Sequence, residues 1–489
     1  MTEPGAEVKL AKNAIGLTDV LFQSITSMAP AAAIAASIPL GAAFAGGALP
    51  LSVLIAFVGI LFTAWAIGQL ATHIPAAGSL ATYTAAGLSP KLGFLVGWSY
   101  AAVEVLIVPL VMLQLGFTIS GELGGYFKWI TPGSWWIFMA LGTILVCWLV
   151  YSGVKTSTET GAWLGAIEIV VFVVLAIVLV VKAGNANTLA VFTPHFANAK
   201  GFSGWSGVFA GAVGALLAFS GFEAAAPLAE ETKDPRKNIP RAIMGATIGI
   251  GILYVFTTYA ATVAYGPAKF FTFATWNNGV PWDGLAHGVS FIFWILVLFA
   301  IVNSTLANAN SGANVFTRTA YAMGRIGVFP RAFANLHPRF KTPQFGVLVE
   351  LILGLAIAFA LGFWQGPVTA FGIVATALVV IVVPVYMLAC LACIGFFARH
   401  RKEEQHWFSH IVVPILGFLF LIPGFLSVAG ITGIPGLSFI AALTAPYSYA
   451  PWVMAGWVII GIGVMFWLGA KKPDAIDAVA HIHLEDEVE

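Results

Sequence analysis

Five carboxylates lie inside long apolar runs of this 489-residue chain: Asp19, Glu104, Glu168, Glu223 and Glu350. No Lys or Arg lies comparably deep in any of these runs. Acids in an apolar setting can carry protons, hold a metal cation or meet an amine. Ionisable groups are costly inside a membrane and mark functional positions by default. Glu104 stands about twelve residues into its run, about 18 Å deep at 1.5 Å per residue. That is beyond easy reach of the membrane surface, and it suits a substrate's amine. Glu168 is about 12 Å deep by the same measure and suits ion or proton coupling. Glu223 follows Ser220 and Gly221 and precedes Pro227, at a place where a helix is expected to open. Asp19 and Glu350 stand nearer the inner ends of their runs. Asp19 fits a gate or an interfacial bond equally well, and Glu350 a structural or interfacial bond. Five acids without a buried base leave two solutions. Either several hold protons, since burial disfavours the charged form, or a cation sits among them: H+, Na+ or a cationic substrate.

The elements that must position these acids follow from composition. The chain is 60% hydrophobic and 9% charged, whereas soluble domains are about 25% charged. Most of its surface must therefore meet lipid. The net charge of +1 gives no basis for nucleic-acid binding, and three cysteines in apolar runs argue against a disulfide framework. Apolar segments of about 20 residues cross a bilayer as helices. Twelve are expected, at 14–45, 48–72, 92–121, 134–153, 161–182, 205–231, 239–265, 286–317, 343–362, 368–398, 410–430 and 450–470. With the N-terminus placed inside, 18 of the 22 Lys and Arg fall in cytoplasmic segments and 4 outside, as the positive-inside rule requires. Both tails, 1–13 and 471–489, are then cytoplasmic in a cell-membrane protein. The "HIH" at 481–483 reads as solvated tail.

Two runs look interrupted. The first reads "SITSMAPAAAIAAS", where Pro30 removes a backbone donor. Met28, Ala29, Ala31, Ala32 and Ala33 would let a ligand approach the backbone there. The sixth reads "AFSGFEAAAP", with Phe219, Ser220 and Gly221 at the break. Paired interruptions, each in the first helix of a five-helix set, point to an inverted-repeat transporter with a midplane site. The repeats would be 14–182 and 205–398, joined by an outer loop, 183–204, with the last two helices in 399–470. Ser304 with Asn308, and Asn310 with Asn314, share faces of the eighth run. They line a pathway, complete an ion site or bind helix to helix. The loop 266–285 is aromatic and outside, a lid or a packed surface loop. "CLAC" at 390–393 reads as small filler. No metalloprotease, phosphate-loop or nucleophile-elbow motif occurs, so neither an enzyme nor a resident cofactor or metal is expected.

Three segments carry a family resemblance. They are "FSGFEAAAPLAEETKDPRKNIPRAI" (219–243), "TRTAYAMGRIGVFPRAFANLHPRFKTP" (317–343) and "HIPAAGSLATYTAAGLSPKLGFLVGW" (73–98). They resemble the amino acid–polyamine–organocation transporter superfamily. The resemblance implies an all-α, LeuT-like polytopic membrane protein, with a five-plus-five inverted repeat and two helices appended. It implies a site between the breaks, walled by the third, eighth and tenth spans. It also implies that the first break holds a substrate carboxylate and that Phe219 to Gly221 hold its amino group. In the arginine/agmatine antiporter and its relatives an acid at the place of Glu223 is linked to substrate binding or proton coupling. Two departures are visible. "MAPAAAI" stands where many members have glycines. Glu168 aligns with a lysine that stands in for sodium in many sodium-independent members. The function these features imply is secondary-active import of amino acids or related amines such as polyamines, driven by protons, by alternating access. Its rivals are an obligate exchanger without net ion coupling and a non-transporting amine receptor.

Overall fold

The computed structural model describes residues 15–76, 78–153, 158–325, 329–340, 342–471 and 476. Among them every regular element is helical, and one isolated bridge pairs Ile15 with Thr232. The main helices are α1 (Leu17–Met28), α2 (Leu49–His73), α3 (Pro90–Leu123), α4 (Trp135–Tyr151), α5 (Thr158–Ala183), α6 (Trp205–Phe219), α7 (Pro235–Tyr265), α8 (Phe291–Arg325), α9 (Gln344–Gln365), α10 (Pro367–His400), α11 (Val413–Ala429) and α12 (Ala450–Lys471). The chain is a polytopic membrane protein. Its lipid-facing side chains include Trp452, 80% exposed, and Trp163, 73% exposed.

Ten helical stretches among the described residues are long and apolar enough to cross a membrane. Two local features separate this number from the twelve expected. The stretch Leu17–His73 is one continuous helical path; it contains two of the expected runs, which part at Gly46, where φ is +54°. The run expected at 205–231 yields only the 15-residue α6, because the chain leaves helical geometry at Ser220 (φ −58°, ψ 132°).

The breaks form for different local reasons. After α1, Ala29 takes a left-handed conformation (φ 45°, ψ 66°), so that Pro30 can begin the next helical piece, Pro30–Ala32. The path then widens to a π-turn at Ala33–Ser37, a departure often found at functional sites. At the other break Gly221 has φ +102°, which only glycine adopts without strain. A β-carbon there would stand 2.8 Å from the carbonyl carbon and oxygen of Ser27. The two breaks therefore abut, backbone to backbone. Outside them α6 lies on the second half of the first helical path through small residues, which permit close helix approach in lipid. A β-carbon on Gly214 would stand 2.3 Å from the Ser37 carbonyl oxygen.

Helix contacts fall largely into two groups, with α1 and the Pro30–Ala32 piece also touching α8. α1 packs on α7, and α2 packs on α6 and α7. α3 packs on α4, α8 and α9, and α4 packs on α8 and α9. α5 touches α1, α7 and α8, while α10 joins α3 to α2 and α11. The Ile15 N–H donates to Glu231 O at 3.1 Å and Lys233 N–H donates to Ile15 O at 2.9 Å, tying the start of α1 to the segment after α6.

Gly214→Val tests the close approach. Overpacking typically costs about 1–3 kcal/mol, so this variant should unfold at lower temperature in lipid nanodiscs. Gly249→Val, where a β-carbon meets nothing within 4 Å, should melt close to wild type.

Candidate functional site

The bilayer offers no water to the backbone groups that a helix break exposes, so side chains must satisfy them. Tyr254 of α7 does so at both breaks. Its hydroxyl lies 3.1 Å from Met28 O and 3.1 Å from Ala218 O, and the residue is fully buried. Gln114 of α3 reaches a third carbonyl, donating from Nε2 to Ala32 O at 2.9 Å. Ser24 Oγ accepts the Ala225 N–H at 3.1 Å. Pro30 has no N–H, the Ala31 amide faces Glu168 and the Ala33 N–H donates to Ala29 O at 2.8 Å, so the amide left at the start of the second helical piece is that of Ala32. The first N–H groups of a helix lack intrahelical partners.

Beside the breaks lies a cavity with about 440 Å3 of empty space, part of it open to solvent. Met28, Ala29, Ala32 and Ala33 line it from the first break, and Leu217, Ala218 and Ser220 from the second. Ile107, Leu110, Val111 and Gln114 of α3, Asn308 of α8 and Leu378 of α10 close the sides, and Ser27 and Ser37 complete the polar lining. No charged side chain is among the lining residues. The remaining residues singled out in the sequence stand outside that lining. Phe219 is buried between Phe57, stacked at 5.9 Å, and Tyr254 at 5.3 Å. Gly221 sits against Ser27. Ala31, Glu104, Glu168, Glu223 and Ser304 lie in the layers beside the cavity, and Glu104 is one turn from the lining residue Ile107.

Two of the acids tie elements together. Glu223 is 1% exposed. Its Oε1 accepts Tyr100 Oη of α3 at 2.7 Å and lies 2.9 Å from Tyr386 Oη of α10. Its Oε2 lies 3.0 Å from Tyr386 Oη and accepts the Gly221 N–H at 3.2 Å. One carboxylate thus holds the broken segment to α3 and α10. Glu168 accepts Asn303 Nδ2 of α8 and faces the Ala31 backbone amide and the Ser304 side chain. The Ser304 hydroxyl itself makes no hydrogen bond that meets normal geometry. Glu168, Ala31 and Ser304 are therefore brought together, while Asn308 faces the cavity instead.

Two further acids, Asp19 and Glu350, behave differently. Asp19 Oδ2 accepts the Gly16 N–H at 2.8 Å, which makes it a cap of its own helix. Glu350, expected to make a structural or interfacial bond, is fully buried, and among the described residues neither of its oxygens has a hydrogen-bond partner. Asn314 Nδ2 donates to Asn310 O, a bond within α8. The loop 266–285 packs inward through Phe270, Phe273 and Trp282. Nearby, Glu122 accepts Asn277 Nδ2 and Trp294 Nε1, each at 2.6 Å. In that loop, burial and the adjacent Glu122 push the Asp283 carboxyl well above its ordinary range. Cys390 and Cys393 are buried and free. The "HIH" segment lies outside the described residues.

Sequence reading did not find Tyr100, Tyr254, Tyr386, Gln114 or Asn303. Gln114 and Asn303 carried a signal, since each is an amide in an apolar helix. The tyrosines carried little, because tyrosine is ordinary in membrane helices and its partners here are remote in sequence.

The model of the family described as "Amino acid permease" matches residues 19–473. The chain belongs to the amino acid permease family. Relatives of this permease include the low-affinity putrescine importer PlaP of Escherichia coli (strain K12), 27% identical over 76% of this chain and 79% of that one. The branched-chain amino acid permease BcaP of Bacillus subtilis (strain 168) is 27% identical over 70% of this chain and 75% of that one. The lysine-specific permease LysP of Lactococcus lactis is 28% identical over 64% and 61%. The permease is thus an integral plasma-membrane transporter of amino acids or amines, and not an enzyme.

Tyr254→Phe leaves the Met28 and Ala218 carbonyls unpaired. An orphaned buried acceptor costs about 1–3 kcal/mol, so the variant should melt at lower temperature than wild type in nanodiscs. An unchanged melting temperature would show that water replaces the hydroxyl.

Proposed function

We propose that this permease imports an amino acid or related small amine by alternating access, driven by protons. The observation that carries the reading is the cavity at the meeting of two helix breaks. The Ala32 amide at the start of the second helical piece, on the cavity lining, suits a carboxylate. Ser220 and the carbonyl end of α6 suit an amino group. The apolar wall of Ile107, Leu110, Val111, Leu217 and Leu378, without a charged side chain, favours a zwitterion with an uncharged side chain over a polyamine. The branched-chain permease among the relatives fits that preference; the putrescine importer keeps amines within the range to be screened.

The architecture belongs to the same proposal: twelve spans with both ends cytoplasmic, repeats at 14–182 and 205–398, and α11 and α12 appended. The grouping of α1, α2, α6 and α7 apart from α3, α4, α8 and α9 supports a bundle that rocks against a scaffold. Glu223, held by Tyr100 and Tyr386, and Glu168, held by Asn303, span elements that such rocking separates. We assign Glu168 to the proton-linked step, with Na+ as the competing ion.

Uptake into proteoliposomes tests this directly. Labelled neutral amino acids, lysine and putrescine are compared under an inward proton gradient, an inward Na+ gradient and neither. Glu168→Gln should lose most of the proton stimulation, about tenfold or more, the equivalent of one charge-assisted bond. Its substrate affinity should stay near wild type. Uptake that needs internal substrate and ignores the pH gradient would mark an exchanger instead.

A further inference from the structure

Glu350 of α9 is the fully buried carboxyl in the scaffold that no part of the transport reading uses. Both of its oxygens are enclosed and unpartnered. Helix register says what stands beside it. A β-carbon on Gly354 would lie 3.5 Å from Val108 Cγ1 of α3 and 3.7 Å from Thr143 Cγ2 of α4. One turn along each helix from that layer are Glu350, Glu104 and Cys147. Glu350 is within electrostatic reach of Glu104, and Cys147 is within reach of Glu350. Glu104 is 5% exposed and has no hydrogen bond among the described residues. It in turn feels Glu223, and Tyr100 feels both of those acids. The titratable groups facing the layer are therefore Glu104 and Tyr100 from α3, Cys147 from α4 and, at its edge, Glu223. None of them is a base.

We propose that Glu104 and Glu350 form a proton-binding pair within the scaffold, a site distinct from Glu168 and the cavity. Two carboxylates in one buried layer repel, and among the described residues neither has a hydrogen-bond donor or a cation beside it, so the pair retains one proton. Coupled acids of this kind release their protons in two separated steps that belong to the pair and not to either residue. The ligand is a proton. Through Glu104 the pair faces Glu223, the acid that clasps the broken segment, so its charge acts on that clasp from the scaffold side.

The test needs neither substrate nor gradient, so it stands apart from the coupling reading. Purified protein in lipid nanodiscs is titrated by infrared difference spectroscopy, following the protonated-carboxyl band. Wild type minus the Glu104→Gln/Glu350→Gln double variant should show two steps. Each single variant, E104Q or E350Q, should retain one step against the same reference. Two unchanged steps in E350Q overturn the proposal, as does a wild-type spectrum identical to that of the double variant. If E350Q does not fold, Glu350→Asp retracts the carboxyl by one methylene and should change the separation of the steps; an unchanged separation overturns the pairing. Proton-driven uptake, measured on the same preparations, reports the coupling reading independently.

Discussion

The rest of the structure depends on how the helix breaks are satisfied without water. Opening a helix inside a bilayer exposes carbonyls and amides that lipid cannot bind. Here one buried hydroxyl, Tyr254 Oη, lies against the carbonyls of Met28 and Ala218 together, and Gln114 takes that of Ala32. The carbonyls are covered by side chains from α7 and α3, so the breaks persist as fixed features. Because Tyr254 serves both breaks at once, it also fixes their distance. Gly221 then brings the second break against Ser27, where a β-carbon would collide. The cavity beside them is a consequence of this arrangement: small residues at the breaks, one polar wall, and apolar side chains from the neighbouring helices.

Much of this was legible in the sequence, and the limits are physical. The breaks were visible because proline and glycine act through the local backbone. The residue that takes the left-handed conformation, Ala29, was less visible. Nothing in an alanine announces φ 45°; Pro30 forces its predecessor out of the helical region, and tertiary packing selects the outcome. The family and the polytopic class were legible because motif and composition are properties of the chain itself. The partners of the acids were not. Glu223 meets Tyr100 and Tyr386, 123 and 163 residues away, and no periodicity relates such positions. Asn303 was passed over for Ser304 and Asn308 because a shared helix face was the criterion, and Asn303 lies off that face. The span count differs for a related reason: hydropathy reads through Ser220, whereas the backbone does not.

The acids separate into two kinds once their surroundings are known. Glu223 and Glu168 are surrounded by donors, and each connects elements from different parts of the fold. Asp19 is spent on its own helix. Among the described residues Glu350 has no donors, and Glu104 beside it has none. A carboxylate that accepts several hydrogen bonds can remain charged in a dry setting, whereas one without donors must be compensated in another way. On the proposed reading the same residue type therefore performs two tasks, distinguished by neighbours and not by depth. Depth in the span, the criterion available from sequence, grouped Glu104 with Glu168 and set Glu350 apart; packing reverses that grouping.

This division bears on how a proton could act in the proposed transport cycle. A proton arriving at Glu223 competes with the hydroxyls of Tyr100 and Tyr386 for the same oxygens, which weakens the clasp between the broken segment and the helices α3 and α10. A proton arriving at Glu168 similarly competes with Asn303, beside the first break. On the proposed reading both sites would convert protonation into the loss of contacts between groups of helices that alternating access must separate. A ligand shifts a conformational equilibrium only by its differential affinity for the two states, and here the differential is the set of hydrogen bonds that the charged form makes and the neutral form surrenders. Substrate filling the cavity acts on the same breaks from the other side, through their backbone, so both influences meet at the few residues from Ser27 to Ala33 and from Ala218 to Glu223.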